Sequence, residues 1–94
     1  MSTQPEARIV AAIMKALGSL PRCWCFKVHG GMYQSAGVPD IVGVYDGRFF
    51  AIEVKTATGK ATKLQELTLR RISDAGGLTG VATSVDEALT IIGQ

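Results

Sequence analysis

No hydrophobic run in this chain approaches the roughly 18 residues needed to cross a bilayer, so a membrane-spanning helix is not expected. The first residues, Met1 to Glu6, lack the basic-then-apolar layout of a secretory leader, and the expected location is cytoplasmic. Cysteine is nearly absent. Cys23 and Cys25 flank Trp24 in a β-prone run and share a face, but neighbours at that spacing rarely form a stabilising bridge. Two thiols without two further ligands do not make a structural zinc site, so buried, reduced thiols are expected. The single histidine, His29, stands beside Gly30-Gly31 and reads either as a substrate contact or as a loop residue. There is no internal repeat, linker or low-complexity tract, so residues 1–94 read as one domain.

With 47% hydrophobic residues the chain has enough apolar material for a core. A domain of this size still buries a modest share of its surface and gains from a partner subunit. The formal net charge of +2 says little by itself. Its distribution says more: Lys55, Lys60 and Lys63 cluster, Arg70-Arg71 follow, and Lys27 precedes them. That pattern suits a polyanionic partner, although a solvated basic surface accounts for the same charges.

Periodicity divides the chain into seven elements. Ile9, Val10, Ile13 and Leu17 fall on one helical face between about Gln4 and Leu17, with Gly18 and Pro21 ending the helix. Trp24 to Val28 reads as a strand and His29 to Pro39 as a glycine-bearing loop long enough to be functional. Asp40 to Lys55 reads as a hairpin. A helix from about Lys63 to Ala75, a strand from Thr79 to Thr83 and a helix from Val85 to Ile92 complete the chain. Helix, three strands, helix, strand, helix predicts a mixed α/β sheet covered by helices. The last strand is joined to the third by a connection long enough for a right-handed parallel crossover.

The hairpin carries the chemistry. Asp46-Gly47 is the strongest short turn signal, since a type I′ turn needs positive φ at both central residues. A two-residue turn pairs Tyr45 with Arg48 and, counting outward, sets Asp40 opposite Glu53. Facing Cβ atoms in such a pair lie about 5 Å apart, and two carboxylates that close repel unless a proton or cation separates them. Alternation sends Lys55 to the side of Glu53 and Val54 away from it. Two acids and an amine converging at a hairpin's open end suggest a metal-dependent phosphodiester site. A structural salt bridge of Lys55 with both acids is the plain alternative.

Three helix starts, Thr3-Gln4-Pro5-Glu6, Thr62-Lys63-Leu64-Gln65 and Ser84-Val85-Asp86-Glu87, fit the capping box. For Glu87 capping is the whole expectation. Glu6 also lies within about 40° of Val10, Ile13 and Leu17 on the helix wheel, where a lone carboxylate is costly unless paired or bound to a metal. Gln65 begins the helix that returns over the hairpin's open end, where an amide can orient water or a phosphate oxygen. Both residues carry a capping reading and a functional one.

Pro39-Asp40, twelve intervening residues and Glu53-Val54-Lys55 resemble the signature of the PD-(D/E)XK nucleases. More narrowly, Gly37-Val38-Pro39-Asp40, the apolar hairpin, Glu53-Val54-Lys55, Gly59 and Gln65 resemble the virus-type replication-repair nuclease (VRR-NUC) domain, over nearly the whole chain. The resemblance implies a restriction-endonuclease-like αβββαβ core with a mixed four-stranded sheet and a short C-terminal helix. It implies Mg²⁺ or Mn²⁺ and hydrolysis of DNA phosphodiester bonds in branched or structured DNA such as flaps and Holliday junctions, as in DNA repair. It also implies a homodimer, and a viral or bacterial type of protein acting in the host cytoplasm. By position, Asp40, Glu53 and Glu6 match the metal-binding acids, Val54 contributes its carbonyl, Lys55 matches the catalytic lysine and Gln65 the downstream glutamine. Lys27, Tyr33, Gln34, Lys60 and Lys63 are candidates for the phosphate track. A nucleic-acid-binding module that keeps the nuclease shape without catalysis is the alternative, and a purely structural dimerisation domain a third.

Overall fold

The computed structural model describes residues 5–29 and 37–94. Thr3, Gln4, Tyr33 and Gln34 lie outside them, so the first capping pattern and two candidates for the phosphate track are not placed. The elements in chain order are α1 (Pro5–Gly18), β1 (Cys23–Lys27), β2 (Ile41–Tyr45), β3 (Arg48–Val54), α2 (Lys63–Asp74), β4 (Leu78–Ala82) and α3 (Val85–Ile91). The sheet order is β1-β2-β3-β4, antiparallel except for the parallel β3–β4 pair. This is the expected restriction-endonuclease-like α/β plan. Strand ends move by one residue from the periodicity reading because pairing sets them: Cys23 is held opposite Tyr45, and Leu78 opposite Phe50.

The turn does what its composition demands. Asp46 and Gly47 take φ of +51° and +82°, the left-handed pair of a type I′ turn. The ladder then runs in the counted register, Tyr45 opposite Arg48 through to Ile41 opposite Ile52. Arg22 clamps the turn: its backbone carbonyl accepts from Asp46 N–H at 2.9 Å, and its Nε meets Asp46 Oδ1 at 2.5 Å.

Strand alternation sorts the two faces. Ile41, Phe50, Ile52 and Val54 are buried against Val10, Ile13 and Leu17 of α1 and against Ala88 and Ile92 at the end of the chain. The opposite face carries Glu53, and α2 crosses it over β3 and β4 with Leu69 buried. The β1–β2 half of that second face has no helix over it among the described residues. Trp24, Phe26 and Val44 stand there 67%, 46% and 43% exposed.

Gly37 fixes how the chain enters β2. It takes φ of +88°, and a Cβ there would stand 2.9 Å from Leu64 Cγ and 3.0 Å from the Leu64 carbonyl oxygen of α2. Gly47 needs a similar φ, yet a Cβ there would meet nothing. Urea unfolding of Gly47→Ala should therefore report backbone strain alone, about 1–2 kcal/mol. Gly37→Ala should cost at least about 1 kcal/mol more, because α2 must move as well. Equal losses would show that the contact between Gly37 and α2 contributes nothing.

Candidate active site

The β2–β3 ladder stops where the acids begin. Asp40 lies one step beyond the last paired residue of β2, and its backbone leaves the regular pattern: its N–H donates to the Ile52 carbonyl at 3.1 Å while its carbonyl accepts from Val28 N–H at 2.8 Å. Val54 N–H, which a continuing β2 backbone would have accepted, donates instead to Asp40 Oδ2 at 2.7 Å. The carboxylate thus takes the place of a strand carbonyl, and the strand end orients the acid.

Glu53, on the α2 side of β3, is 3% exposed. Its Oε2 accepts from Gln65 Nε2 at 2.9 Å and lies 3.5 Å from Lys55 Nζ. Its Oε1 is buried with no hydrogen-bond partner among the described residues. Burial pushes this carboxyl up to about 7, and the nearby Asp40 charge adds to the rise, while Lys55 pulls the other way. Lys55 does not win because it sits at long ion-pair distance on the oxygen that Gln65 already occupies. A salt bridge therefore leaves half of this carboxylate unsatisfied, which is costly in a buried place.

Gln65 caps α2 and also reaches Glu53. Its Oε1 accepts from Thr62 N–H at 2.8 Å and Thr62 Oγ1 accepts from Gln65 N–H at 3.1 Å, a complete capping box. The amide nitrogen left over is the donor to Glu53. Capping fixes which end of the amide faces the acid. The third box forms only in part. Ser84 Oγ accepts from Glu87 N–H, but Glu87 Oε1 turns to Thr83, taking its N–H at 2.6 Å and its hydroxyl at 2.7 Å. Two donors on Thr83 outcompete the single N–H of Ser84, and both hold the Glu87 carboxyl below its ordinary value.

Glu6 is half-buried in the first turn of α1. No group of three His, Cys, Asp or Glu close enough to hold one ion occurs among the described residues, so Asp40 and Glu53 form a pair that Glu6 does not join directly. The reason is topological: α1 packs on the Val54 face, whereas alternation turns Glu53 toward α2. Lys60 and Lys63 are exposed, before and at the first residue of α2. Lys27 ends β1 at the same end of the sheet, but its register partner Ile41 belongs to the α1 face, so the lysine stands on the other side from Glu53. His29 is exposed just beyond Lys27.

Two carboxylates, one of them with an orphaned buried oxygen, are a donor set of hard oxygens, which fits a divalent cation of the magnesium type. Against solved structures, the chain superposes on a protein described as a VRR_NUC domain with a TM-score of 0.71 at 22% identity, covering 96% of each chain. A second, described as a VRR_NUC domain protein, gives a TM-score of 0.70 at 19% identity over 98% of this chain and 88% of the other. The chain has the VRR-NUC fold. No family profile matches the sequence, and no curated protein does. In this VRR-NUC fold, Asp40, Glu53, Lys55 and Gln65 meet at one end of the sheet, and no helix among the described residues is long and apolar enough to cross a membrane.

The Glu53 carboxyl makes stability depend on pH. Without metal, the folded protein keeps this proton to about pH 7, whereas an unfolded glutamate releases it near about 4.3. Between those values the folded state holds the extra proton, so stability falls as pH rises from about 4.5 to 7 and then levels off. Thermal unfolding in EDTA should show a loss of roughly 2–4 kcal/mol, or at least about 10 °C, across that window. Glu53→Gln should flatten it. Millimolar Mg²⁺ at pH 8 should raise Tm for the parent and not for Glu53→Gln.

Proposed function

We propose that the chain is a metal-dependent DNA endonuclease of the VRR-NUC family, hydrolysing phosphodiester bonds in branched or structured DNA as a homodimer. The observation that carries this reading is the buried Glu53 Oε1, left without a partner beside Asp40 while Lys55 and Gln65 hold the other oxygen. A proton, a cation or a hydrogen-bond donor can satisfy that atom, and beside the Asp40 carboxylate a cation offsets the most charge.

Asp40 and Glu53 would hold Mg²⁺ or Mn²⁺, with the Val54 carbonyl as a further oxygen and Glu6 acting through bridging water. Bound there, the ion lowers the pKa of a water and offsets charge on the phosphate. The chain's own groups supply the rest. Val54 N–H keeps Asp40 aimed, and Gln65 Nε2 holds Glu53 so that Oε1 remains free. Lys55, with a side chain 14% exposed and its ammonium 3.5 Å from Glu53 Oε2, would hold the attacking water and donate to the phosphate oxygen that gains charge. Lys60 and Lys63, with Lys27, Tyr33 and Gln34, suit the DNA backbone. No acid or lysine of the set is missing, which disfavours a silent binding module. For the homodimer, the exposed Trp24, Phe26 and Val44, on the half of the sheet face with no helix over it among the described residues, offer an apolar surface to a second copy.

Flap, fork, four-way and linear DNAs incubated with Mg²⁺ or Mn²⁺ test the reading. Asp40→Asn, Glu53→Gln and Lys55→Ala should each lower the cleavage rate by about 100-fold or more. Cleavage by the two acid variants at the parent's rate would overturn the assignment, and binding without cleavage of any DNA would favour the silent module. A sedimentation mass near 9.9 kDa at working concentration would refute the dimer, and Trp24→Glu should convert dimer to monomer if the bare face is its seat.

A further inference from the structure

At the end of α2 away from the acids lies a cleft of about 600 Å³ that the site described above does not use. One side is apolar. Phe49, 44% exposed, meets Ile72 across Gly77, where an added Cβ would lie 3.2 Å from Phe49 Cδ2 and 2.7 Å from Ile72 Cγ2. The rim is cationic, with Arg48 and Arg71 beside Thr68. Arg48 spends its Nε–H on the Gly76 carbonyl at 2.9 Å, which closes the C-terminal end of α2. Its remaining N–H groups, and the whole guanidinium of Arg71, have neither a hydrogen bond nor an ion pair among the described residues. An aromatic ring beside two unpaired guanidinium groups has the chemistry that receives a base and its phosphate.

Register connects this cleft to the acids. Phe49, Ala51 and Glu53 share one face of β3, so Phe49 lies about 13 Å from Glu53. On α2, Gln65, Leu69 and Ile72 form the stripe turned to the sheet: Gln65 bonds Glu53, Leu69 is buried and Ile72 packs at Gly77. The neighbouring stripe, Leu64, Thr68 and Arg71, borders the uncovered half of the sheet face. It begins at Gly37, close to Asp40, and ends at the cleft.

The geometry points to a nucleotide pocket: the cleft receives one unstacked nucleotide of the DNA, its base against Phe49 and its phosphate on Arg71 and Arg48. This rests on the nuclease reading and extends it. A span of about 13 Å corresponds to some four nucleotides at duplex rise, and fewer in an unstacked strand. The pocket therefore selects DNA with unpaired nucleotides two to four positions from the cut, which ties the preference for branched substrates to a named contact.

Flap DNA carrying 2-aminopurine at successive positions from the branch, titrated with the protein in EDTA, reads the pocket without cleavage. The parent should quench the probe at one position within that window. Phe49→Ala should abolish the quenching and weaken binding by about 10-fold to 100-fold. Arg71→Ala should reduce the slope of log affinity against log salt by about one. If Phe49→Ala fails to fold, Arg71→Glu, at an exposed position, carries the test through the same loss of affinity. Parent cleavage with unchanged DNA binding by these variants would overturn the pocket and leave the nuclease reading intact. Position-specific quenching that depends on Phe49, without cleavage in Mg²⁺, would do the reverse. No DNA binding by the parent would overturn the pocket, and so would a Phe49→Ala variant that becomes monomeric yet binds DNA as before, since the cleft would then seat a second copy.

Discussion

The bond from Val54 N–H to Asp40 Oδ2 marks where a sheet becomes a site. Up to Ile41 and Ile52 the two strands satisfy one another through their backbones. One residue further, β2 swings away and β3 continues, which would orphan a backbone donor beside the core. A carboxylate fills the gap. Because that carboxylate cannot move without stranding Val54 N–H, Asp40 is held as firmly as a strand residue, although it belongs to the loop side of the ladder. The opposing acid is fixed differently, by burial on β3 and by an amide from α2. Two carboxylates that repel one another are therefore anchored by independent devices, and neither can relax by rotating away.

Such an arrangement costs folding energy unless something occupies it. Among the described residues, Glu53 is buried, faces a like charge and keeps one oxygen unbonded, while the only cation within reach stands 3.5 Å from the other oxygen. A chain selected for stability alone would place a neutral amide or an apolar residue here, since replacing an imperfectly paired buried charge is often neutral or stabilising. Strain of this kind concentrates where binding relieves it. The surrounding core shows no comparable compromise: Ile13, Leu17, Ile41, Phe50, Ile52 and Val54 are fully buried and apolar.

Much of this was readable before the structure, because the decisive signals are local. Asp46-Gly47 determines a turn type, the turn determines a register, and the period of two then places Lys55 with Glu53 and Val54 opposite. Glu53, Val54 and Lys55 are all separated from the turn by one countable strand. What escaped the sequence depends on packing between segments far apart in the chain. The capping and functional readings of Gln65 looked like alternatives, because nothing local shows that an amide can offer oxygen to Thr62 and nitrogen to Glu53 together. The helix wheel set Glu6 on the apolar stripe with Val10, Ile13 and Leu17, but the wheel says nothing about which sheet face α1 will choose. Glu87 was drawn one residue upstream by the second donor of Thr83, a competition that pattern matching ignores. The Phe49 cleft needed both the alternation of β3 and the path of α2, whose partner stripe is set by tertiary contact.

That path would let a small domain address an extended polymer such as the proposed DNA substrate. α2 touches the acid site through its first turn and reaches the far end of β3 through its last. Gln65 and Arg71 are six residues apart, about 9 Å along the axis. Since Gln65 is bound to Glu53 and Arg48 closes the C-terminal end at Gly76, both ends of the helix are tied to the same strand. β3 and α2 consequently form one rigid unit with carboxylates at one end and guanidinium groups at the other. In the proposed reading, a DNA strand laid along that unit would meet the acids at one end and the guanidinium groups at the other, and charge order would set its orientation.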